Sequence, residues 1–355
     1  MLENTTIFSK NLITWYLEFG RSLPWRETKD PYRIWLSEII LQQTRVAQGL
    51  PYYLKFIEKF PTIHDLAHAR EEEVLKLWQG LGYYSRARNL HHTAKYVAGS
   101  LVGIFPNSYG GLVKLKGVGD YTASAIASIC FDLPHAVVDG NVYRVLSRIF
   151  GIQTPIDSSA GIKEFKALAQ ELLDSSRPGT FNQALMEFGA RHCTPQQPNC
   201  EHCPFATSCI ALKTQSIKEL PIKKGKTKIK KHYFNYIVPI DPNGNTMLEQ
   251  RKGKGIWQNL FQFPLIETKK VTRLELLTKE RDYQQLTSHW EIESLIPFYP
   301  KQIVHKLSHK ELNTQFWVAQ LANTLEKGTP SREVHNFPVP ILIGNFISEF
   351  SLFND

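Results

Sequence analysis

Four of the five cysteines in this chain of 355 residues fall in one short stretch, Cys193-x6-Cys200-x2-Cys203-x5-Cys209, with Pro195, Pro198 and Pro204 between them. Nothing else constrains the fold as tightly, because four soft ligands from one loop-rich segment must meet at one centre. Such spacing is that of a metal site and not of a secreted disulfide framework. By ligand chemistry alone the centre is zinc or an iron–sulfur cluster, although paired C-x2-C knuckles are the usual form of a four-cysteine zinc site. Cys130 stands apart in the apolar run Ile126–Phe131 and reads as a small buried hydrophobe.

Around this segment the apolar residues repeat with helical period. Asn11–Phe19, Tyr32–Val46, Tyr52–Lys59, Glu71–Gln79, Ser85–Ala98, Tyr121–Cys130, Val142–Phe150, Lys163–Leu173 and Phe181–His192 each suit a helix. Beyond them the pattern alternates, as strands do, in Phe234–Ile240, Thr246–Gln250 and Gln315–Leu321. Between the two regimes, residues 221–232 carry six lysines and most of the formal charge of +9. That run fits phosphate attraction or a solvated linker. We therefore expect a helical domain over 1–213, a basic linker over 214–232 and a second domain over 233–355. The amino terminus lacks the plan of a signal peptide and no stretch is long enough to span a bilayer, so a cytosolic protein that does not associate with membranes is expected.

Leu115-Lys116-Gly117-Val118-Gly119-Asp120-Tyr121 sets two glycines one residue apart before a helix of small residues. Gly117 and Gly119 would let the backbone turn tightly and aim N–H groups at an anion, although a Gly-x-Gly alone is equally an ordinary turn. Downstream, Val137-Val138-Asp139-Gly140-Asn141 places a carboxylate where another helix begins. Hairpin and aspartate together resemble the helix-hairpin-helix DNA glycosylases. The resemblance implies a hairpin over about 112–130 that grips a DNA phosphate and an aspartate that serves the chemistry. The cysteine pattern is similar to the [4Fe–4S] loop (193–209) of the endonuclease III and adenine glycosylase families, which implies that cofactor.

Breaking a glycosidic bond suits one protonated and one ionised carboxyl group. Glu38 lies on a helical face with Ile34 and Leu41, where burial would raise its pKa toward that of a general acid. Its run, Trp35-Leu36-Ser37-Glu38-Ile39-Ile40-Leu41-Gln42-Gln43-Thr44-Arg45, resembles that of the adenine glycosylase family. The resemblance implies that Glu38 protonates the departing adenine, Asp139 supports the sugar cation, and Tyr121 and Asn141 hydrogen bond to the reacting groups. Tyr121 stands where strand-cleaving relatives carry a lysine, so base excision without efficient strand cleavage is expected. Gln43 and the segment Gly80–Asn89, with Tyr83 and Arg86, match runs that contact the DNA around the lesion in the family.

Trp257–Pro264 looks like the entry to the family's carboxy-terminal Nudix-like α/β domain, but no Arg-Glu-x-x-x-Glu-Glu helix follows to hold magnesium. This domain is expected to read DNA rather than hydrolyse nucleotides. His305-Lys306-Leu307-Ser308-His309 resembles the loop that contacts 8-oxoguanine, with Leu307 in place of the family's aromatic, which leaves Ser308 and His309 as the contacts. The chain is thus expected to be a mainly α helix-hairpin-helix glycosylase domain with a [4Fe–4S] loop, followed by a Nudix-like domain. Its expected role is that of a monomeric, monofunctional glycosylase acting on double-stranded DNA with adenine opposite 8-oxoguanine or guanine. The alternatives are an endonuclease III-like or thymine-mismatch glycosylase, or a non-catalytic iron–sulfur DNA-binding protein.

Overall fold

The computed structural model describes residues 2–225 and 229–354, the side chains of residues 2–5 excepted. Among these residues, twelve helices run through the first part: α1 Leu2–Phe19, α2 Pro31–Leu41, α3 Val46–Lys59, α4 Ile63–His68, α5 Glu71–Leu77, α6 Ser85–Ser100, α7 Tyr109–Leu112, α8 Asp120–Phe131, α9 Gly140–Phe150, α10 Ser159–Leu172, α11 Pro178–Arg191 and α12 Ile210–Lys213. The chain forms two compact units, Met1–His68 with Asn89–Gly225, and Ala69–Arg88 with Lys226–Asp355.

In the helical unit α11 is the central rod, fully burying Phe181, Leu185 and Phe188 while packing on α1, α8 and α9. Two glycines let it approach closely. A Cβ on Gly179 would lie 2.7 Å from the Ser128 carbonyl oxygen of α8, and one on Gly189 would lie 2.7 Å from Asn141 Cβ of α9. Helix α8 starts at a turn in which Gly117 adopts φ +83 with Asn89 Cβ 2.8 Å from where its own Cβ would be, so a side chain there is both strained and blocked. The expected hairpin between helices is therefore present, with Gly119 as the residue before α8.

The continuous helix expected over Tyr32–Val46 is interrupted. Gln42 leaves helical geometry at ψ 115, Gln43 takes φ +55, and the chain re-enters a helix at Val46. Apolar periodicity continues across this break, which is why the sequence does not reveal it. A Gln42 Nε2 to Thr122 Oγ1 hydrogen bond of 3.2 Å ties the turn to α8.

The second unit is built on β1 Lys230–Ile240, β2 Asn245–Thr246, β3 Glu249–Gln250, β4 Phe261–Gln262, β5 Leu265–Thr268, β6 Ile292–Pro297, β7 Ile303–Lys306, β8 Lys310–Leu321 and β9 Thr329–Pro330. Its sheet runs β5-β1-β8-β6, with β7 also on β8; β1 and β8 are parallel and the other pairs antiparallel. Side chains alternate across it as a strand period of two requires. Ile237, Trp317, Ala319 and Leu321 pack under α13 Leu274–Leu277 and α14 Arg281–Leu286, through Leu277 and Tyr283. On the other face Tyr236 stacks on Phe316, and Phe316 on Phe346 of α15 Ile341–Glu349. The run Thr246–Gln250 is divided between β2 and β3, which pair with different partners, β9 and β4.

Residues 69–88, which sequence places in the helical domain, group with the second unit. The reason is a set of hydrogen bonds: Lys76 Nζ to Phe337 O (3.2 Å), Asn259 Nδ2 to Glu71 Oε1 (2.6 Å), Arg88 Nη1 to Gln258 O (2.9 Å) and Val339 N to Gln79 Oε1 (3.3 Å). Of the expected linker, residues 222–225 are held on the helical unit by Ile156 N to Ile222 O and by Lys224 N to the Asp157 carboxylate. Residues 226–228 lie outside the described residues, and Lys230 already belongs to β1.

Candidate active site

Helix α2 is apolar around most of its circumference, with Ile34, Trp35, Leu36, Ile39 and Ile40 buried, and this fixes where Glu38 must point. Glu38 is 8% exposed and lines a cavity of about 150 Å³ shared with Tyr121, Asp139 and Asn141. Burial pushes its pKa up to about 7; the Tyr121 hydroxyl and Arg26 pull it down, and Asp139 adds to the rise. It is therefore an acid able to hold a proton near neutrality.

Asp139 caps α9, and the cap fixes the carboxylate. Its Oδ1 accepts the N–H groups of Asn141 and Val142, each at 2.8 Å, and its Oδ2 accepts from Asn141 Nδ2 at 2.8 Å. Burial raises its pKa while these donors, which prefer an anion, work against the rise. Tyr121, in the first turn of α8, donates from its hydroxyl to Met186 Sδ at 3.0 Å. Burial and the two carboxylates raise the phenol far above its ordinary value, so it stays neutral.

The cavity opens into a wider cleft of about 1100 Å³ rimmed by Gln42, Gln43, Arg45, Gly119 and Gly140. Gln43 and the hairpin glycine thus share a rim with the two carboxylates. Sequence reasoning did not single out the opposite wall, formed by Arg21, Trp25, Arg26, Gln183, Met186 and Glu187. Glu187 is buried, yet Arg21 at 2.6 Å on both oxygens and Arg26 at 2.8 Å hold it ionised; burial resists the charge, but the two guanidinium groups draw its pKa to about 2. A glutamate in the otherwise apolar run of α11, four residues after Gln183, was the available signal.

Arg144 connects this site to the cysteine loop. Its guanidinium donates to Asn141 Oδ1 (3.0 Å), Gly189 O (2.5 Å) and Cys193 O (2.8 Å). One turn on, Arg148 donates to Thr194 O and Pro195 O and approaches Cys193 Sγ at 3.5 Å. Cys193, Cys200, Cys203 and Cys209 line one small pocket whose other walls include Ile149, Phe188, Ala206 and Leu212. Burial pushes the Cys203 thiol up to about 12, with the neighbouring thiols adding to the rise, and it raises Cys200 and Cys209 as well. Such crowded groups ionise only when a cationic centre joins them. Among the described residues no three side chains of the ligating types converge closely enough to hold a single metal ion. A Phe205 N to Cys203 Sγ bond of 3.4 Å and the Arg148 contact are donors directed at sulfur. The residues fit a group with thiolates at its corners.

In the second unit Tyr83 is 45% exposed with φ +48, and its hydroxyl hydrogen bonds with that of Ser308 in the exposed turn between β7 and β8. His309 is exposed, and its carbonyl accepts from Lys230 N. Arg86, expected among the DNA contacts, makes hydrogen bonds within this loop. It is 9% exposed, its guanidinium 5.0 Å from the Trp78 ring and donating to Leu81 O and Gly82 O, so it braces the loop that presents Tyr83.

Residues 36–171 match the HhH-GPD superfamily of base excision DNA repair proteins, and residues 235–349 match the NUDIX domain. An adenine DNA glycosylase of Buchnera aphidicola subsp. Schizaphis graminum is 37% identical over 86% of each chain. The chain belongs to the adenine DNA glycosylase family. The rat family member is 39% identical over 91% of this chain and 66% of its own length. Among solved structures, a thermostable thymine-DNA glycosylase superposes with TM-score 0.55 and 30% identity over 60% of this chain and 98% of its own. A trapped endonuclease III–DNA intermediate, at 22% identity and TM-score 0.53 over 61% of this chain and 99% of its own, shares the fold. The NUDIX match agrees with the mixed sheet of the second unit.

Proposed function

We propose that the chain is a monofunctional, monomeric and cytosolic glycosylase that hydrolyses the N-glycosidic bond of adenine mispaired with 8-oxoguanine or guanine in double-stranded DNA. One observation carries the chemistry: a buried acid, Glu38, and a carboxylate oriented by three N–H donors, Asp139, face one cavity. The hairpin at Gly117 and Gly119 and the basic rim residue Arg45 receive phosphate, and Gln43 fills the stack as adenine turns out of the duplex. Glu38 gives its proton to the purine, the C1′–N bond breaks with its electron pair leaving on the base, and Asp139 supports the ribosyl cation until water adds. Tyr121 and Asn141 keep these two groups in place. With tyrosine at position 121 there is no amine to form a Schiff base, so the strand stays intact.

The four cysteines would hold a [4Fe–4S] cluster. With all four positions taken by protein thiolates, the cluster would fix the fold of the loop when bound and would leave no open position for substrate or water. The Tyr83–Ser308 pair, with His309 alongside, suits reading of the base opposite the adenine. Among the described residues no helix is long and apolar enough to cross a membrane.

Single-turnover incubation with duplexes bearing adenine opposite 8-oxoguanine, guanine or cytosine, followed by alkali, tests the reading. Adenine release from the first two, with strand scission only after alkali, is expected. Release of thymine, scission without alkali, or full activity in Glu38→Gln would overturn it.

A further inference from the structure

Tyr121 has a single hydroxyl hydrogen, and two acceptors compete for it. That hydrogen goes to Met186 Sδ at 3.0 Å, from a residue of α11 in the cavity wall. The Glu38 carboxyl lines the same cavity, and hydrogen bonding by the Tyr121 hydroxyl favours its ionised form. A phenol both donates and accepts, so with its hydrogen on sulfur Tyr121 presents a lone pair to Glu38, which only a protonated carboxyl satisfies. An ionised Glu38 would instead draw the hydrogen to itself and leave Met186 without it. Proton loss from Glu38 thus costs the O–H···S bond.

We propose that Met186 is a positioning residue for adenine release: its thioether turns the Tyr121 hydroxyl away from Glu38 and so holds Glu38 in the form that carries the proton. The proposal rests on Glu38 as the acid. Other charged or titratable groups face Glu38 from each neighbouring element. Asp139 at the start of α9 opposes ionisation and Arg26, from the turn before α2, favours it. Cys130 of α8 stays neutral, its thiol pushed up to about 12 by burial, and Arg21 and Glu187 satisfy each other in the same wall. The Tyr121 hydroxyl donates to none of them, so exchanging the sulfur leaves their influence unchanged.

Met186→Leu removes the acceptor at nearly constant volume. Single-turnover adenine release by the full-length, cluster-loaded protein, on duplex with adenine opposite 8-oxoguanine, is measured from about pH 5 to about pH 9. The rate should be level while Glu38 is protonated and fall as pH rises through its pKa. In Met186→Leu the freed hydroxyl donates to the carboxylate, and the fall should move to lower pH by about one unit. In a Tyr121→Phe background the same exchange should leave the midpoint where it is. An unmoved midpoint in Met186→Leu, a uniform loss of rate at every pH, or an equal shift in the Tyr121→Phe background would overturn the proposal. Glu38→Gln separates the two levels: if it retains wild-type activity, the acid assignment falls, whereas an inactive Glu38→Gln with an unmoved Met186→Leu profile sinks only the role of Met186.

Discussion

Replacing Glu187 with glutamine removes the anion from a wall that holds two cations. The folded protein keeps its pKa at about 2 against an ordinary 4.5, because Arg21 and Arg26 outweigh the burial that opposes the charge. A pKa unit corresponds to about 1.4 kcal/mol, so the lowering amounts to roughly 3 kcal/mol of folded-state preference for the ionised form. Arg21 is a third exposed, which makes this an upper figure. An independent route agrees in size: removing one partner of a buried ion pair costs about 3–5 kcal/mol, since the other charge is left uncompensated. The sign follows from the direction of the shift. A depressed carboxyl pKa contributes stability in full above the unfolded value, near 4.5, and loses it as pH falls toward 2. Glu187→Gln should therefore unfold in urea with about 3 kcal/mol less stability at neutral pH, and the difference should shrink progressively below about pH 4.5. Paired urea titrations at matched pH, followed by circular dichroism, measure this. A difference that stays constant with pH, or one below about 1 kcal/mol at pH 7, would show that the guanidinium clamp is not the source of Glu187's ionisation.

Arg144→Met should lose about 3 kcal/mol of stability through its unsatisfied buried carbonyls and about tenfold or more in adenine release through a loosened Asn141, measured by denaturation and single-turnover rate. Unchanged chemistry in a folded variant would disconnect Arg144 from the site. Cys200→Ser should abolish the visible absorption of anaerobically purified protein and weaken binding to duplex DNA, both read on one preparation. Tyr83→Phe and Ser308→Ala each remove one end of a shared hydrogen bond, so their effects on discrimination between 8-oxoguanine and guanine should be less than additive in the double variant.

Much of the helical unit follows from periodicity, because α8, α9 and α11 bury continuous apolar stripes and their ends carry Gly119, Asp139 and Pro178, residues that begin helices for known stereochemical reasons. Glu38 and Asp139 were legible as a pair because each sits in a motif, and the structure directs both into one cavity. Gln43 was legible as a residue type but not as a left-handed turn, since nothing in Leu41–Val46 interrupts the apolar rhythm that a helix also produces. Arg21, Arg26 and Glu187 stayed hidden because they come from distant positions and acquire meaning only as a buried ion cluster. Arg86 was legible as part of a motif run, but its hydrogen bonds to Leu81 and Gly82 were not, because they depend on how the loop folds back.

Residues 69–88 belong to the second unit while the chain on either side of them belongs to the first, so the polypeptide passes between the units three times. Severing the lysine-rich strap would consequently not release two self-sufficient pieces. A fragment ending near residue 225 would retain α5 and the Tyr83 loop but lose the carbonyls of Phe337 and Gln258 and the amide of Asn259 that anchor them. In a shortened chain of that kind, these roughly twenty residues would lose the hydrogen bonds that order them. On the proposed reading, discrimination at the base opposite adenine would then fail first, with every residue of the cavity still present.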